Sequence, residues 1–128
     1  MKNLALLLFS LVPLAGQAPP AAADFSAWWT QFQSAVVNRD AAGVSKGAKF
    51  PMLWENGPTR EIQVATAIKA RFDFYFTADI KRVIASQAPV QRADGYSITW
   101  NARGNEYSLY FKNRETGWAL DGLSEGPP

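Results

Sequence analysis

Residues 95–122 read GYSITWNARGNEYSLYFKNRETGWALDG. Tyr96, Ile98 and Trp100 alternate with Ser97, Thr99 and Asn101, and Tyr107, Leu109 and Phe111 alternate with Ser108 and Tyr110. A period of two sends alternate side chains to opposite faces of a strand. Asp94-Gly95, Arg103-Gly104-Asn105 and Arg114-Glu115-Thr116-Gly117 supply the turns around these runs. The pattern predicts an antiparallel meander, with Trp118, Leu120 and Gly122 continuing its apolar face. The opposite face, Ser97, Thr99, Asn101, Ser108, Tyr110 and Asp121, suits water. Pro89 to Arg92 reads as a further strand just before the meander.

Upstream the period changes. Phe25, Trp28, Trp29, Phe32, Ala35 and Val36 fall on one face at helical spacing, predicting an amphipathic helix over Asp24–Arg39 with Asp24 as its N-cap. Asp40 caps a short second helix to Val44. Phe50-Pro51-Met52-Leu53-Trp54 is apolar, but Pro51 has no N–H to give a ladder, so an edge strand or extended loop is expected. Asn56-Gly57-Pro58 marks a turn. Over Glu61–Phe76 the spacing of Ile68, Phe72, Tyr75 and Phe76 favours helix over the alternative, a strand with Phe72, Phe74 and Phe76 on one side. Thr77 then caps a short helix that buries Ile80, Val83 and Ile84 and exposes Lys81 and Arg82. Helices first and sheet last imply an α+β domain: helices on one face of a curved antiparallel sheet formed mainly by the C-terminal meander.

The N-terminus has a different character. Lys2, the apolar run Leu4–Leu14 and the small residues after it form a secretory leader pattern, and the run is too short to cross a bilayer. Cleavage is expected after Ala23, with Ala18 as the alternative. Residues 1–23 are then leader, and residues 24–128 form one exported domain, periplasmic or secreted, with no membrane span after cleavage. Loss of Lys2 leaves 12 basic against 11 acidic residues, net +1, so the footprint of a nucleic-acid binder is missing. With no cysteine, stability must come from packing. Five Trp, eight Phe and four Tyr in the full chain supply the material.

The stretches FSAWWTQFQSAVVNRD (25–40), KFPMLW (49–54) and GWALDGL (117–123), in this order around a second helical region, resemble the NTF2-like, cystatin-like α+β superfamily, in particular its small exported bacterial members. The resemblance implies a cone-shaped α+β fold that often encloses an apolar pocket. Some members are isomerases, many only bind ligands or proteins, and dimers are frequent. No catalytic motif of an enzymatic member can be placed on these residues.

Absent residues exclude chemistry. Without His or Cys there is no Ser-His-Asp or Cys-His catalysis, no Cys/His zinc site and no thiol redox chemistry. No glycine-rich phosphate loop occurs. No metal or cofactor is expected. Among carboxylates, Asp73 lies between aromatics, where an apolar setting would raise its pKa and make it a proton-transfer base with Tyr75 as donor. The simpler reading is a solvated Asp73 paired with Lys69. Asp79 falls in the first turn of a helix, where a negative charge is stabilising in itself, and Glu55 precedes a turn. Trp54 is the tryptophan least expected to be wholly core, and so a candidate for a pocket rim or partner contact. Phe76 and Trp100 are further candidates for ligand binding, and Tyr110 for an exposed partner surface. These features favour an exported, non-enzymatic domain that binds a small hydrophobic molecule or an envelope protein. The alternatives are a cofactor-free isomerase or lyase with a buried carboxylate, and an inhibitor or immunity protein of an exported partner.

Overall fold

A computed structural model describes residues 20–56 and 59–128. The leader pattern before Pro20, the Ala18 cleavage site and Gly57-Pro58 of the expected turn lie outside these residues.

Helix α1 spans Pro20–Val37. It starts earlier than expected because Pro20 suits a first helical position and three alanines follow it; Asp24 therefore lies inside the helix and is not its N-cap. Arg39, at φ 56, ends it, and the Asp40 N–H returns to the Ala35 carbonyl at 2.8 Å. Asp40 then caps α2 (Ala41–Lys46) as predicted, its carboxylate accepting from the Gly43 N–H at 3.1 Å.

Strand β1 (Ala48–Asn56) pairs antiparallel with β2 (Thr59–Ile62) and parallel with β6 (Gly117–Gly126). The strand order is β2-β1-β6-β5-β4-β3, with β3 at Val90–Arg92, β4 at Gly95–Ala102 and β5 at Asn105–Arg114. The predicted meander is therefore present. The sheet is nonetheless mixed, and β1 is an interior strand, contrary to the edge position expected from Pro51. The proline is tolerated for a local reason. Pairing with β2 begins only at Met52, and the register with β6 slips between Ala48 and Leu53, so Pro51 stands where no ladder bond is demanded.

The helices cover one face of this sheet. The chain between β2 and β3 forms α3 (Ala65–Ala70), α4 (Phe72–Tyr75) and α5 (Ala78–Ser86). Helix is thus observed over Phe72–Tyr75, but it is broken from α3 at Arg71 (φ −139, ψ 53). In α5, Ile80, Val83 and Ile84 are buried as predicted. The core lies between the layers: Phe25, Phe32 and Val36 from α1, Ile68, Phe72 and Phe76 from the helical crossover, and Ile98, Leu109, Phe111, Leu120 and Leu123 from the sheet. Gln33 fastens α1 to α5 through its amide, which donates to the Ile84 carbonyl at 2.9 Å.

A bulge re-aims the last strand. Tyr110 faces Gly122 while Phe111 faces Leu120, so Asp121 has no partner residue on β5. Before the bulge Trp118 and Leu120 point to the helices. After it Leu123 and Glu125 do, and Gly122 moves to the open face. Strict alternation had placed Gly122 with Leu120. A Cβ on Gly122 would lie 3.0 Å from the Leu53 carbonyl oxygen, so the close approach of β1 suits glycine there.

Candidate functional site

The interior aromatics pack against one another and against the backbone. Trp54 is 0 % exposed, against the expectation that it would be the least buried tryptophan. Its strand is interior, and its indole N–H donates to the Tyr75 carbonyl at 3.1 Å, tying β1 to α4. Phe76 packs on it with ring centroids 5.2 Å apart, and Phe72 stacks on Phe76 at 5.0 Å. Trp100, also buried, stacks on Tyr107 at 5.6 Å. Trp54 and Phe76 are thus brought together as core. Tyr110 is on the opposite face of the sheet, so the four aromatic candidates do not converge on one cavity.

Asp73 is exposed. The hydrogen-bonded Arg39 guanidinium (2.5 Å) and the Lys81 ammonium (3.1 Å) both reach its Oδ1 and hold the carboxyl below the ordinary carboxylate range. This is the reverse of the raised value a buried base needs. Lys69 is not its partner, because the break at Arg71 destroys the helical spacing between them. Tyr75 turns its ring edge-on to Phe74 at 5.0 Å.

Where α5 starts and the β4–β5 turn ends, a polar network forms. Asp79 accepts from the Thr77 hydroxyl at 2.8 Å, the Trp100 indole at 3.4 Å and Arg103 at 3.3 Å. Burial pushes its pKa up, but the Thr77 and Trp100 hydrogen bonds and the Arg103 charge outweigh this and leave it lowered. The Arg103 guanidinium carbon lies 5.1 Å from the centroid of the Tyr107 ring. The Tyr107 hydroxyl and the Asn105 amide both donate to Glu125 Oε2 at 2.8 Å. Glu55 is not the exposed residue its position before a turn suggested. It is partly buried and accepts from the Glu125 N–H at 3.0 Å. Glu125 and Arg103 carry no local signal in the sequence, since only the convergence of four strand ends and a helix start assembles this network.

The open face of the sheet carries a groove of about 340 Å³. Hydroxyls line it: Thr99 and Ser108 bond each other across β4 and β5 at 2.9 Å, and Ser97 accepts from Arg92 Nε at 2.9 Å. Tyr110, 38 % exposed, bonds Ser124 at 3.1 Å. Charges of both signs frame the groove. Lys112 lies 3.4 Å from Asp94 and 3.9 Å from Asp121, and Arg114 pairs with Asp121, which is less exposed than its place on a polar face suggested. Among the described residues no group of three or more acidic side chains could hold a metal ion, and no helix is long and apolar enough to cross a membrane.

No protein-family model matches the chain. No curated protein matches it either. Among solved structures, the chain is similar to one described as an NTF2-like protein with a cystatin-like fold from Novosphingobium aromaticivorans. That likeness has 11 % identity and a TM-score of 0.46, and covers 99 % of this chain and 89 % of the other.

Proposed function

We propose that this chain is a non-catalytic binding domain that engages another protein through the open face of its sheet, and that it does so outside the cytoplasm once its leader is removed. The observation that carries the reading is Tyr110: a half-exposed aromatic ring among hydroxyls, on a sheet face that no described element covers. Tyrosine combines contact area with a hydrogen-bonding end at little cost in entropy, which is why interfaces are enriched in it. Balanced charges around the groove suit a protein surface of mixed polarity better than a polyanion. The buried state of Trp54 and Phe76 weighs against a small hydrophobic ligand in the interior. The lowered pKa values of Asp73 and Asp79 weigh against a carboxylate base.

A photo-crosslinking side chain at position 110, with one at exposed Val64 as control, tests this in the host's envelope fraction. The expected result is an adduct with one other polypeptide at position 110 and none at 64. A small apolar molecule co-purifying with the native protein, or the same adducts at both positions, refutes it.

A further inference from the structure

The helical layer presents a second surface with a different charge balance. Arg39 and Lys81 converge on one oxygen of Asp73. On the same short helical segment as Asp73, Arg71 lies over the ring of Phe74, with its guanidinium carbon 3.9 Å from the ring centroid. Phe74 is 41 % exposed although large and apolar. Among the described residues Arg71 makes no ion pair. Two cations therefore meet the Asp73 carboxylate, and Arg71, two residues before it in the chain, adds a third positive charge to this segment. The nearby Asp40 turns its carboxylate to the Gly43 N–H at the start of α2.

We propose that Arg71, with Arg39 and Lys81, forms a docking site for an acidic segment of a partner protein, with Phe74 supplying the apolar contact. A guanidinium stacked on an aromatic face keeps its N–H edge free, and that edge matches a carboxylate in a two-bond fork. The stack also holds the side chain in place, so less conformational freedom is lost on binding than for a free arginine. Arg39 and Lys81 already share a single carboxylate oxygen, so a second carboxylate can enter between them without leaving either cation unpaired. The exposed ring under Arg71 gives an aliphatic or aromatic side chain of the segment a dry surface. The three cations and the ring together select acidic residues flanking an apolar one. The excess of positive charge raises the rate of encounter with such a segment at low salt.

The test is fluorescence anisotropy with the full chain and a labelled Glu-rich peptide containing one Phe. Its counterpart with Gln in place of Glu and vesicles of anionic phospholipid run alongside. The Glu peptide is expected to bind and the Gln peptide to bind at least about tenfold more weakly, with affinity falling as salt rises. Arg71→Gln and Phe74→Ala should each weaken binding about tenfold, the loss expected for one charged hydrogen-bonding group or one apolar anchor. Lys46→Gln, a charge-matched change on α2, should leave it unchanged. Far-ultraviolet circular dichroism and the unfolding midpoint verify that each variant is folded. The proposal is overturned if the Glu peptide does not bind, if Arg71→Gln binds it as the parent does, if Lys46→Gln weakens it equally, or if only vesicles bind.

Discussion

Replacing Trp54 with Phe tests whether the interior is a packed core or a lined pocket. Trp54 has no accessible surface, and its indole N–H is the donor to the Tyr75 carbonyl. Phenylalanine keeps an aromatic ring against Phe76 but cannot donate. A buried carbonyl that loses its partner costs about 1–3 kcal/mol. The smaller ring also leaves a gap, and incomplete relaxation around it adds about 1 kcal/mol. The expected loss is therefore about 2–4 kcal/mol. In a domain of this size that lowers the melting temperature by about 10–20 °C. Urea unfolding at 25 °C measures it directly, with the midpoint falling and the slope unchanged, since the surface exposed on unfolding hardly differs. Trp54→Ala should cost more than Trp54→Phe, because it empties the site that Phe76 packs against. If Trp54→Phe unfolds within about 0.5 kcal/mol of the parent, the indole is not part of a close-packed core, and a ligand space beside it becomes the better account of its position.

Gly95→Ala should destabilise strongly, because its Cβ would lie 2.2 Å from the Phe111 carbonyl oxygen, a backbone atom that cannot swing aside; a melting temperature equal to the parent's contradicts this packing. Asp73 and Asp79 have folded pKa values below their unfolded ones, so their stabilisation is complete above the unfolded carboxylate value of about 4 and is lost as pH falls through the lower folded values. The urea midpoint should drop in acid, and Asp79→Asn should drop less steeply; parallel curves for the two proteins argue against the Asp79 network. Tyr110→Ala should keep the unfolding free energy within about 1 kcal/mol, the ring being half-exposed, yet abolish the partner adduct formed from a crosslinker at Ser108. Retention of that adduct removes Tyr110 from the interface.

The meander was legible because its signal is local. Strict alternation from Tyr96 to Trp100 and from Tyr107 to Phe111 sets strand, face and turn positions without reference to anything distant. The second helix and its Asp40 cap were legible for the same reason. What failed was non-local. Pro51 argues for an edge when only its own strand is considered, and the slip against β6 that accommodates it depends on a strand some 70 residues later. The Asp121 bulge flips Gly122 and Leu123 relative to simple alternation, and nothing in ALDGLSEG marks it. Asp73 shows the same limit in the site. Its partners come from the end of α1 and from α5, while the partner expected from helical spacing is separated from it by the break at Arg71. Tyr110 alone was placed correctly as an exposed aromatic, because its face follows from local alternation.

The aromatic side chains of this domain divide between the packed core and the exposed surface. A chain with no cysteine has no disulfide to restrict its unfolded state, so a domain of about 100 residues must gain its margin from packing. The rings are placed accordingly. Phe25 stacks on Tyr96 at 3.8 Å, Trp28 on Phe32 at 4.9 Å, and Trp118 stands edge-on to Phe25 and Tyr96. The Trp118 N–H is even buried without a hydrogen-bond acceptor, a cost that packing on this scale can offset. Once the rings have been committed to the core, Phe74 and Tyr110 are the large aromatic side chains left exposed among the described residues. One sits beneath Arg71 on the helical layer and the other among hydroxyls on the sheet. Each has around it the polar chemistry that its own surface would use, cations in the first case and balanced charges with hydroxyls in the second. If the proposed contacts are made at these two rings, on opposite layers of the fold, binding there leaves the packed interior undisturbed.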